Sequence, residues 1–362
     1  AYLQGDKKWQ EIFATIWDAC RNIDGYIQMH FPKNIREEIF GSYWNELPVK
    51  RIKDYLNLSI SKKQTNGYYI KEAISTDFKI TTEEASNERN QKTRFESIIN
   101  FSYFLLHTLR VFVHQEHITS QTDLLDKMLD DKKLVDAFDR VIRQGEINNK
   151  PINPQYFVKS FIICLLRTRY LFDLYIIKRE QHNKYILMLQ AAMRVSFTSP
   201  KVMHWITKLL IWLTDYFLDR APEGWIYEDI VNDTAREPVT EFLNNKENFY
   251  LGVATPHIVL NYLDFLLWKK SPKIDFDFEF RNSVEHWYPR NPSEGSFPRW
   301  EDEGPNGVDR FGNLCLIQRS VNSKFSNLHP SAKKSTFQEM IDKGSLKLRI
   351  MSEMTTDNSQ LW

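Results

Sequence analysis

Residues 9–20 have the sequence WQEIFATIWDAC, in which the apolar side chains fall on one stripe of a helix. They follow the i, i+3, i+4, i+7, i+8 and i+11 spacing of an amphipathic helix: Trp9, Ile12, Phe13, Ile16, Trp17 and Cys20. The same spacing predicts helices at 95–113, 124–142, 154–179, 184–194, 201–219 and 255–270. Thr255 and Pro256 predict the start of the last one, as its cap and its first residue. We therefore expect a mainly α protein.

Three stretches depart from helical spacing. Residues 59–82 are rich in β-branched side chains and broken by Asn66-Gly67, which predicts a small hairpin or a surface excursion. Residues 221–248 carry Pro222, Gly224 and Pro238 among polar residues, which predicts a loop-rich joint between helices. Residues 274–280, IDFDFEF, alternate apolar and acidic side chains like a strand. A second domain is expected to begin there, so that a helical region spans 1–275 and a smaller domain spans 276–362.

Length and charge narrow the possible functions. The 362 residues are enough for two or three domains with a sizeable core. With 48 Lys and Arg against 47 Asp and Glu, the net charge is +1. This balance excludes binding to nucleic acid or anionic lipid through the overall charge of the protein. Residues 309–350, however, contain eight basic and three acidic side chains, a local net charge of +5. Any nucleic-acid site is expected to be local.

The cysteines and the apolar stretches indicate the environment. Cys20, Cys164 and Cys315 are far apart, which predicts neither a disulfide framework nor a zinc knuckle and favours a reducing compartment such as the cytoplasm. The apolar stretch 161–175 is interrupted by charged residues, so we expect a soluble protein without a membrane span. Because the chain begins at Ala1 without the layout of a secretory signal, its start is interpreted as a trimmed boundary.

The residues with the clearest chemistry lie in three segments: VEHWYP at 284–289, GNLCLI at 312–317 and NSK at 322–324. A strand, a loop, a second strand and a helix would bring them together. Phosphodiester hydrolysis needs a base, a hard divalent cation and a group that fixes the base. His286 can accept the proton of water, and Glu285 and Asn322 offer oxygens that magnesium prefers. Asn313 can bond the loop backbone and hold the histidine.

These segments resemble an HNH, or His-Me finger, nuclease domain. The similarity is to the variant at the C-terminus of modification-dependent restriction and phage-defence proteins, with E-H-apolar-apolar-P, G-N-L-x-L, N-x-K and a downstream lysine, and it covers about 278–347. It implies a ββα-metal domain that nicks DNA with Mg2+ or Mn2+, after a helical connecting or regulatory region. Two departures stand out: Glu285 replaces the more common Asp, and Asn322 replaces the second histidine of many relatives.

The resemblance also implies a role for each residue. His286 would be the general base and Asn313 the residue that fixes the loop, while Glu285 and Asn322 would bind the metal. Four basic side chains are expected to contact phosphate: Arg319, Lys324, Lys333 and Lys334. The N-terminal D-G-Q-Q-R motif of this defence family does not occur in the chain. We therefore expect a sensor domain in a longer protein, a branch without that domain, or assembly into a homo-oligomer.

Two other functions fit the same sequence. In the first, the helical region is a DNA-binding or partner-binding regulatory module and the nuclease motif is vestigial. In the second, Arg110 and His117 form the metal-independent pair of a helical ribonuclease. The closely spaced His114 and His117 are interpreted as a solvated helix end rather than a metal pair.

Overall fold

A computed structural model describes residues 2–31, 97–120, 123–177, 183–292, 297–300 and 304–355. The hairpin expected at 59–82 lies outside these residues. Eleven α-helices are found in the described part of the chain: α1 (Lys7–Arg21), α2 (Phe101–Gln115), α3 (Leu134–Gln144), α4 (Pro154–Tyr175), α5 (Lys184–Ser196), α6 (His204–Phe217), α7 (Tyr227–Leu243), α8 (His257–Lys270), α9 (Arg319–Phe325), α10 (Pro330–Asp342) and α11 (Leu346–Met354). The expectation of a mainly α protein is confirmed.

Two antiparallel strand pairs accompany the helices. The first joins β1 (Glu146–Ile147) to β2 (Lys150–Pro151), and the second joins β3 (Ser283–His286) to β4 (Leu314–Ile317). The chain divides into two compact units, of which the first contains residues 1–181 and 199–227 and the second contains residues 182–198 and 228–362.

The first unit is organised around α4, which packs against α1, α2 and α6. Asn153 caps this helix by accepting hydrogen bonds from the backbone of Gln155 and Tyr156, and Pro154 occupies the first position, where its missing N–H costs nothing. Inside the unit, Arg169 and Asp173 form a fully buried ion pair one helical turn apart, at 3.1 Å. The pair also ties α1 down, because Arg169 Nη1 donates to the carbonyl of Cys20 at 3.2 Å.

The second unit combines helices with the β3–β4 hairpin. Helix α8 packs against α5, α11 and β4, and α11 packs against α10 and β4. In the hairpin, Ser283 lies opposite Ile317 and His286 lies opposite Leu314. Helix α9 begins at Arg319, directly after β4. The predicted order of strand, loop, strand and helix is confirmed.

The expectation of a loop-rich joint at 221–248 is wrong, because α7 occupies most of this range. Its buried residues recur at helical spacing and form one apolar stripe: Ile230, Val231, Thr234, Ala235, Val239 and Phe242. Glu228 and Asp229 lie in the first turn, where negative charge complements the helix dipole. Pro238 removes one backbone donor, and burial of this stripe outweighs that loss.

Two smaller expectations around α8 are also wrong. Residues 274–280 do not form a strand; Phe276 is buried but Phe280 is half exposed, and no strand pairs with this segment among the described residues. Alternation alone cannot make a strand without a partner for its backbone. Helix α8 begins at His257 and Pro256 is its cap position, so Thr255 does not cap it.

Two further observations concern the cysteines and the most apolar helices. Cys20, Cys164 and Cys315 are all buried with free thiols, as their separation in the sequence predicts. None of the helices in the described ranges is long and apolar enough to cross a membrane.

Candidate functional site

One face of β3 is turned towards α9 and α10. Ser283 and Glu285 lie two residues apart and therefore point to the same side of the strand. Ser283 Oγ accepts a hydrogen bond from Nδ2 of Asn322 on α9 at 2.6 Å. The ammonium of Lys333 on α10 donates to Glu285 Oε1 at 2.6 Å. The two expected metal ligands, Glu285 and Asn322, thus lie on one face of the hairpin.

The other face of β3 carries the histidine. Val284 packs against Leu260 of α8 and against two residues of β4, in a small apolar cluster. His286 follows on the same side, and its Nε2 lies 2.7 Å from Asp309 Oδ1. Glu285 and His286 are adjacent in sequence, but they act on different sides of the strand because successive side chains alternate.

The contact between His286 and Asp309 determines which nitrogen of the imidazole carries the proton. A carboxylate only accepts hydrogen bonds, so Nε2 carries the proton and Nδ1 is left as the acceptor. Arg290 Nη2 lies 3.4 Å from Oδ2 of the same carboxylate. Burial lowers the pKa of His286, the bond to Asp309 opposes this shift, and the cations Arg290 and Lys333 add to it. A histidine with a lowered pKa is mostly neutral at pH 7 and can accept a proton.

Asn313 fixes the backbone on both sides of this pair. Its fully buried amide accepts from the backbone N–H of Tyr288 at 2.8 Å and donates to the Tyr288 carbonyl at 3.0 Å. It also donates to the carbonyl of Val308 at 2.8 Å. Tyr288 lies two residues after His286, and Val308 directly precedes Asp309. Asn313 therefore holds the pair through the main chain and does not touch the imidazole.

Gly252 supports Asp309 from behind. Its backbone N–H donates to the carbonyl of Asp309 at 3.2 Å. A Cβ atom at this position would lie 2.5 Å from Asp309 Oδ1, and the glycine adopts a φ of +55°, which side chains disfavour. Both facts restrict this position to glycine. The short 3-10 turn Gly252–Ala254 packs against β3 and completes the wall of the site.

The donor atoms on the α9 and α10 face determine which metal could bind. Within the described ranges, no group of three or more His, Cys, Asp and Glu side chains is arranged to hold a metal. Magnesium, however, keeps several waters and often takes only one or two protein oxygens together with substrate phosphate. Asn322 fits this role, since its nitrogen bonds Ser283 and its carbonyl oxygen remains as a ligand atom. Glu285 is a poorer candidate for a direct ligand, because its Oε1 already accepts a hydrogen bond from the ammonium of Lys333.

Residues 231–360 match the family model for the C-terminal domain of GmrSD restriction endonucleases. The match confirms the expected resemblance. It extends from inside α7 past the end of α11 and therefore includes the β3–β4 hairpin together with α8 to α11. We refer to 231–360 as the GmrSD-type region. No curated protein and no solved structure gives a significant match to the chain.

The four basic side chains expected to contact phosphate fall into two groups. Arg319 and Lys324 are exposed on α9, where the sequence expected phosphate contacts. Lys333 is fully buried and all of its donors bond within the protein, so it offers none to a phosphate. Lys334 donates to the carbonyl of Thr355 at 2.9 Å and thereby caps the C-terminus of α11.

The sequence did not predict that Asp309 contacts His286, nor that the side chain of Lys333 points into the core. Asp309 lies 23 positions after His286 in a segment rich in Gly and Pro, and nothing in a single sequence marks it as the histidine's partner. For Lys333 a signal was present, because Lys333, Phe337 and Ile341 recur every four residues on α10. That spacing places the lysine on the stripe that contains buried Ile341.

The alternative ribonuclease pair lies in the first unit. The guanidinium of Arg110 contacts His204 Nδ1 at 2.9 Å and the backbone carbonyl of Asp126. His117 follows the end of α2, with an exposed side chain and a φ of +50°. Arg110 is thus engaged with His204 and Asp126, and its described contacts do not include His117.

Proposed function

We propose that the GmrSD-type region is a DNA endonuclease domain of the HNH type, with a ββα-metal arrangement formed by β3, β4 and α9. The observation that carries the proposal is the 2.7 Å contact between His286 and Asp309 at the end of β3. It provides a neutral, oriented base in a region that matches the C-terminal domain of restriction endonucleases. An oriented histidine is the group that phosphodiester hydrolysis needs to activate water.

In the proposed reaction, Nδ1 of His286 takes a proton from water, which attacks the phosphorus in line with the leaving 3′ oxygen. As the imidazole gains the proton it becomes positive, and the Asp309 carboxylate stabilises that charge through Nε2. Asn313 keeps both residues in place through Tyr288 and Val308. The bond from phosphorus to the 3′ oxygen breaks, and that oxygen takes a proton from solvent water, so the products are a 5′-phosphate and a 3′-hydroxyl.

A divalent cation completes the proposed chemistry. When bound, Mg2+ or Mn2+ would neutralise charge on the scissile phosphate and on the leaving oxygen. Asn322 lies on the other side of β3 from His286, so its carbonyl oxygen would hold the cation together with waters and the substrate phosphate, which would bridge the two sides of the strand. Arg319 and Lys324 on the exposed side of α9, and Arg290 beside Asp309, are proposed to contact the DNA backbone. One histidine per site cuts one strand, so the expected product is a nick.

Conversion of supercoiled plasmid to open-circle and linear forms tests this function. Modified and unmodified plasmid would be incubated with the chain in Mg2+, in Mn2+ and in EDTA. The proposal predicts open circles that depend on metal. DNA binding without any cleavage would instead favour the regulatory module with a vestigial motif. RNA cleavage that persists in EDTA and in the His286→Ala variant would favour the Arg110 and His117 pair.

A further inference from the structure

Three oxygen atoms surround the ammonium group of Lys333. Glu285 Oε1 lies at 2.6 Å, and the backbone carbonyls of His286 and Trp287 both lie at 2.9 Å. An ammonium has three N–H donors, so each one is used. The lysine side chain is fully buried and the Glu285 carboxylate nearly so. Such a cage of one carboxylate and two carbonyls is a site for a cation, and Lys333 fills it.

Aromatic rings close this cage. The ammonium lies 5.8 Å from the ring centre of Trp287 and 5.6 Å from that of Phe325, distances at which rings attract a cation. Trp287 is itself fixed, because its indole N–H donates to Thr355 Oγ1 at 2.8 Å. The lysine is therefore held by the core of the second unit and is not a surface side chain that happens to fold inwards.

We propose that Lys333 is the resident cation of the Glu285 site, and that the Glu285–Lys333 pair positions the backbone of the catalytic histidine instead of binding the metal. The inference rests on the proposed function, since it assigns His286 as the base. It changes the role of both partners: Glu285 is a positioning residue and not a metal ligand, and Lys333 is a positioning residue and not a phosphate contact.

Charge and geometry support this assignment. Lys333 already neutralises the carboxylate, and a second cation on Glu285 would face a buried ammonium of the same sign. Two of the three bonds from Lys333 reach the main chain at His286 and at the next residue, so the lysine fixes the direction in which β3 ends. Small displacements of a catalytic group lower the rate of the chemical step more than they weaken the binding of substrate.

A double-mutant cycle tests the pair. The variants are Glu285→Gln, Lys333→Met and the double change, made in the full chain and compared by melting temperature. Each single change leaves a buried group without its partner and is expected to lower the melting temperature by roughly 10 °C. The double change is expected to lower the melting temperature by clearly less than the sum of the two single changes, because it leaves no unpaired buried charge. Additive losses would overturn the proposed pairing.

The exposed pair of Glu339 on α10 and Lys343, the residue directly after that helix, is the matched control. Its atoms lie 2.8 Å apart, and both side chains are largely exposed. The equivalent cycle with Glu339→Gln and Lys343→Met should show almost no coupling, because solvent screens exposed pairs. Nicking by these control variants should equal that of the wild type.

Binding of Mn2+, followed by electron paramagnetic resonance of the free ion, separates positioning from ligation. If Glu285 is not a ligand, Glu285→Gln should weaken Mn2+ binding by no more than about 10- to 100-fold, the size of an indirect effect. Asn322→Ala should weaken it more. Loss of Mn2+ binding in Glu285→Gln, with unchanged melting temperature, would overturn the proposal.

Steady-state nicking gives a readout that a general loss of stability would not produce. At a temperature where all variants are folded, Lys333→Met should lower kcat on plasmid by about 10²-fold and leave KM unchanged. A phosphate contact would raise KM instead, and that result would overturn the positioning role. If no variant binds Mn2+ or cuts DNA, the proposed nuclease function fails; the melting cycle then decides the pairing alone, with coupling supporting it and additivity overturning it.

Discussion

Asp309 Oδ1 lies 2.7 Å from Nε2 of His286 and fixes the proton on that nitrogen. Asp309→Asn keeps the size of the side chain but removes its charge, so the imidazolium that forms during catalysis loses its stabilisation. We expect single-turnover nicking to fall by about 10²- to 10⁴-fold, by analogy with other carboxylate–histidine pairs. The exposed Asp277→Asn is the control and should cut at the normal rate.

The same variant has a defined pH dependence. Asp309 raises the pKa of His286, against the lowering caused by burial. Without the carboxylate that pKa falls further, and a base must be unprotonated to act. The acid limb of the pH–rate profile should therefore move to lower pH in Asp309→Asn. A limb that stays in place or moves to higher pH would contradict the pairing.

Replacing Gly252 tests whether its close contact with Asp309 is needed to position the carboxylate. Gly252→Ala would place a Cβ 2.5 Å from Asp309 Oδ1 and would also strain a backbone with a φ of +55°. We expect nicking to fall by about 10²-fold, because a small displacement of the carboxylate disturbs the histidine. Gly224→Ala controls for the strain, since Gly224 has a φ of +81° and nothing within 4 Å. If both variants lose activity equally, the clash with Asp309 is not the cause.

Asn313 is expected to matter for stability and for activity. Asn313→Ala removes three hydrogen bonds and leaves backbone groups of Tyr288 and Val308 without partners. Urea unfolding should show a loss of about 3 kcal/mol or more. Nicking should fall even where the variant is folded, since the segments that carry His286 and Asp309 are no longer tied together. Asn327→Ala, at an exposed position, should change neither quantity.

Most helices of the first 270 residues were predictable from the sequence because their cores repeat every three to four residues, although the helix expected at 124–142 begins only at Leu134. The bounds observed for α1 and α5 differ from the predicted ones by only one or two residues. The strand, loop, strand and helix order was predictable from the three motif segments. Helix α7 was not predictable in the same way. Its prolines suggested a loop, whereas burial of one continuous apolar stripe stabilises a helix there. Residues 274–280 show the reverse case, an alternating pattern without a partner strand.

The site was only partly predictable, for a similar reason. Asn313 could be assigned to the loop because its motif places it at the start of β4, and its three backbone bonds agree with that role. Whether Lys333 points to DNA or to the core depends on which face of α10 packs, and residue type alone favoured solvent. Asp309 contacts His286 across a separation of 23 positions in the sequence, a contact between distant residues that no local pattern encodes.

Asp264, a buried acid in the second unit, predicts how the free energy of unfolding depends on pH. Asp264 is fully buried, accepts from the backbone N–H of Lys347 at 2.8 Å, and has a pKa raised to about 6, chiefly by burial. The folded protein therefore holds a proton there that the unfolded chain has lost, and stability falls as pH rises from about 4 to 6. Above that range the cost is about 3 kcal/mol.

Asp264→Asn should remove this cost and keep the hydrogen bond to Lys347. Urea unfolding at pH 7.5 should show the variant to be more stable than the wild type, and at pH 4 the gain should vanish. The nearby cations do not reverse the sign, because their effect is already contained in the shifted pKa. An equal difference in stability at both pH values would show that the charge of Asp264 is not responsible.

His286 is proposed as the base that activates water for cutting DNA, and single-turnover cleavage is the measurement that tests this role. Wild type and His286→Ala would be mixed in excess with supercoiled plasmid in Mg2+ and in EDTA, with melting temperatures measured in parallel and the cut ends identified. The account predicts nicks with 5′-phosphate and 3′-hydroxyl ends from the wild type in Mg2+, and no nicks from a His286→Ala variant that melts at nearly the wild-type temperature. Nicking by folded His286→Ala at the wild-type rate would contradict it.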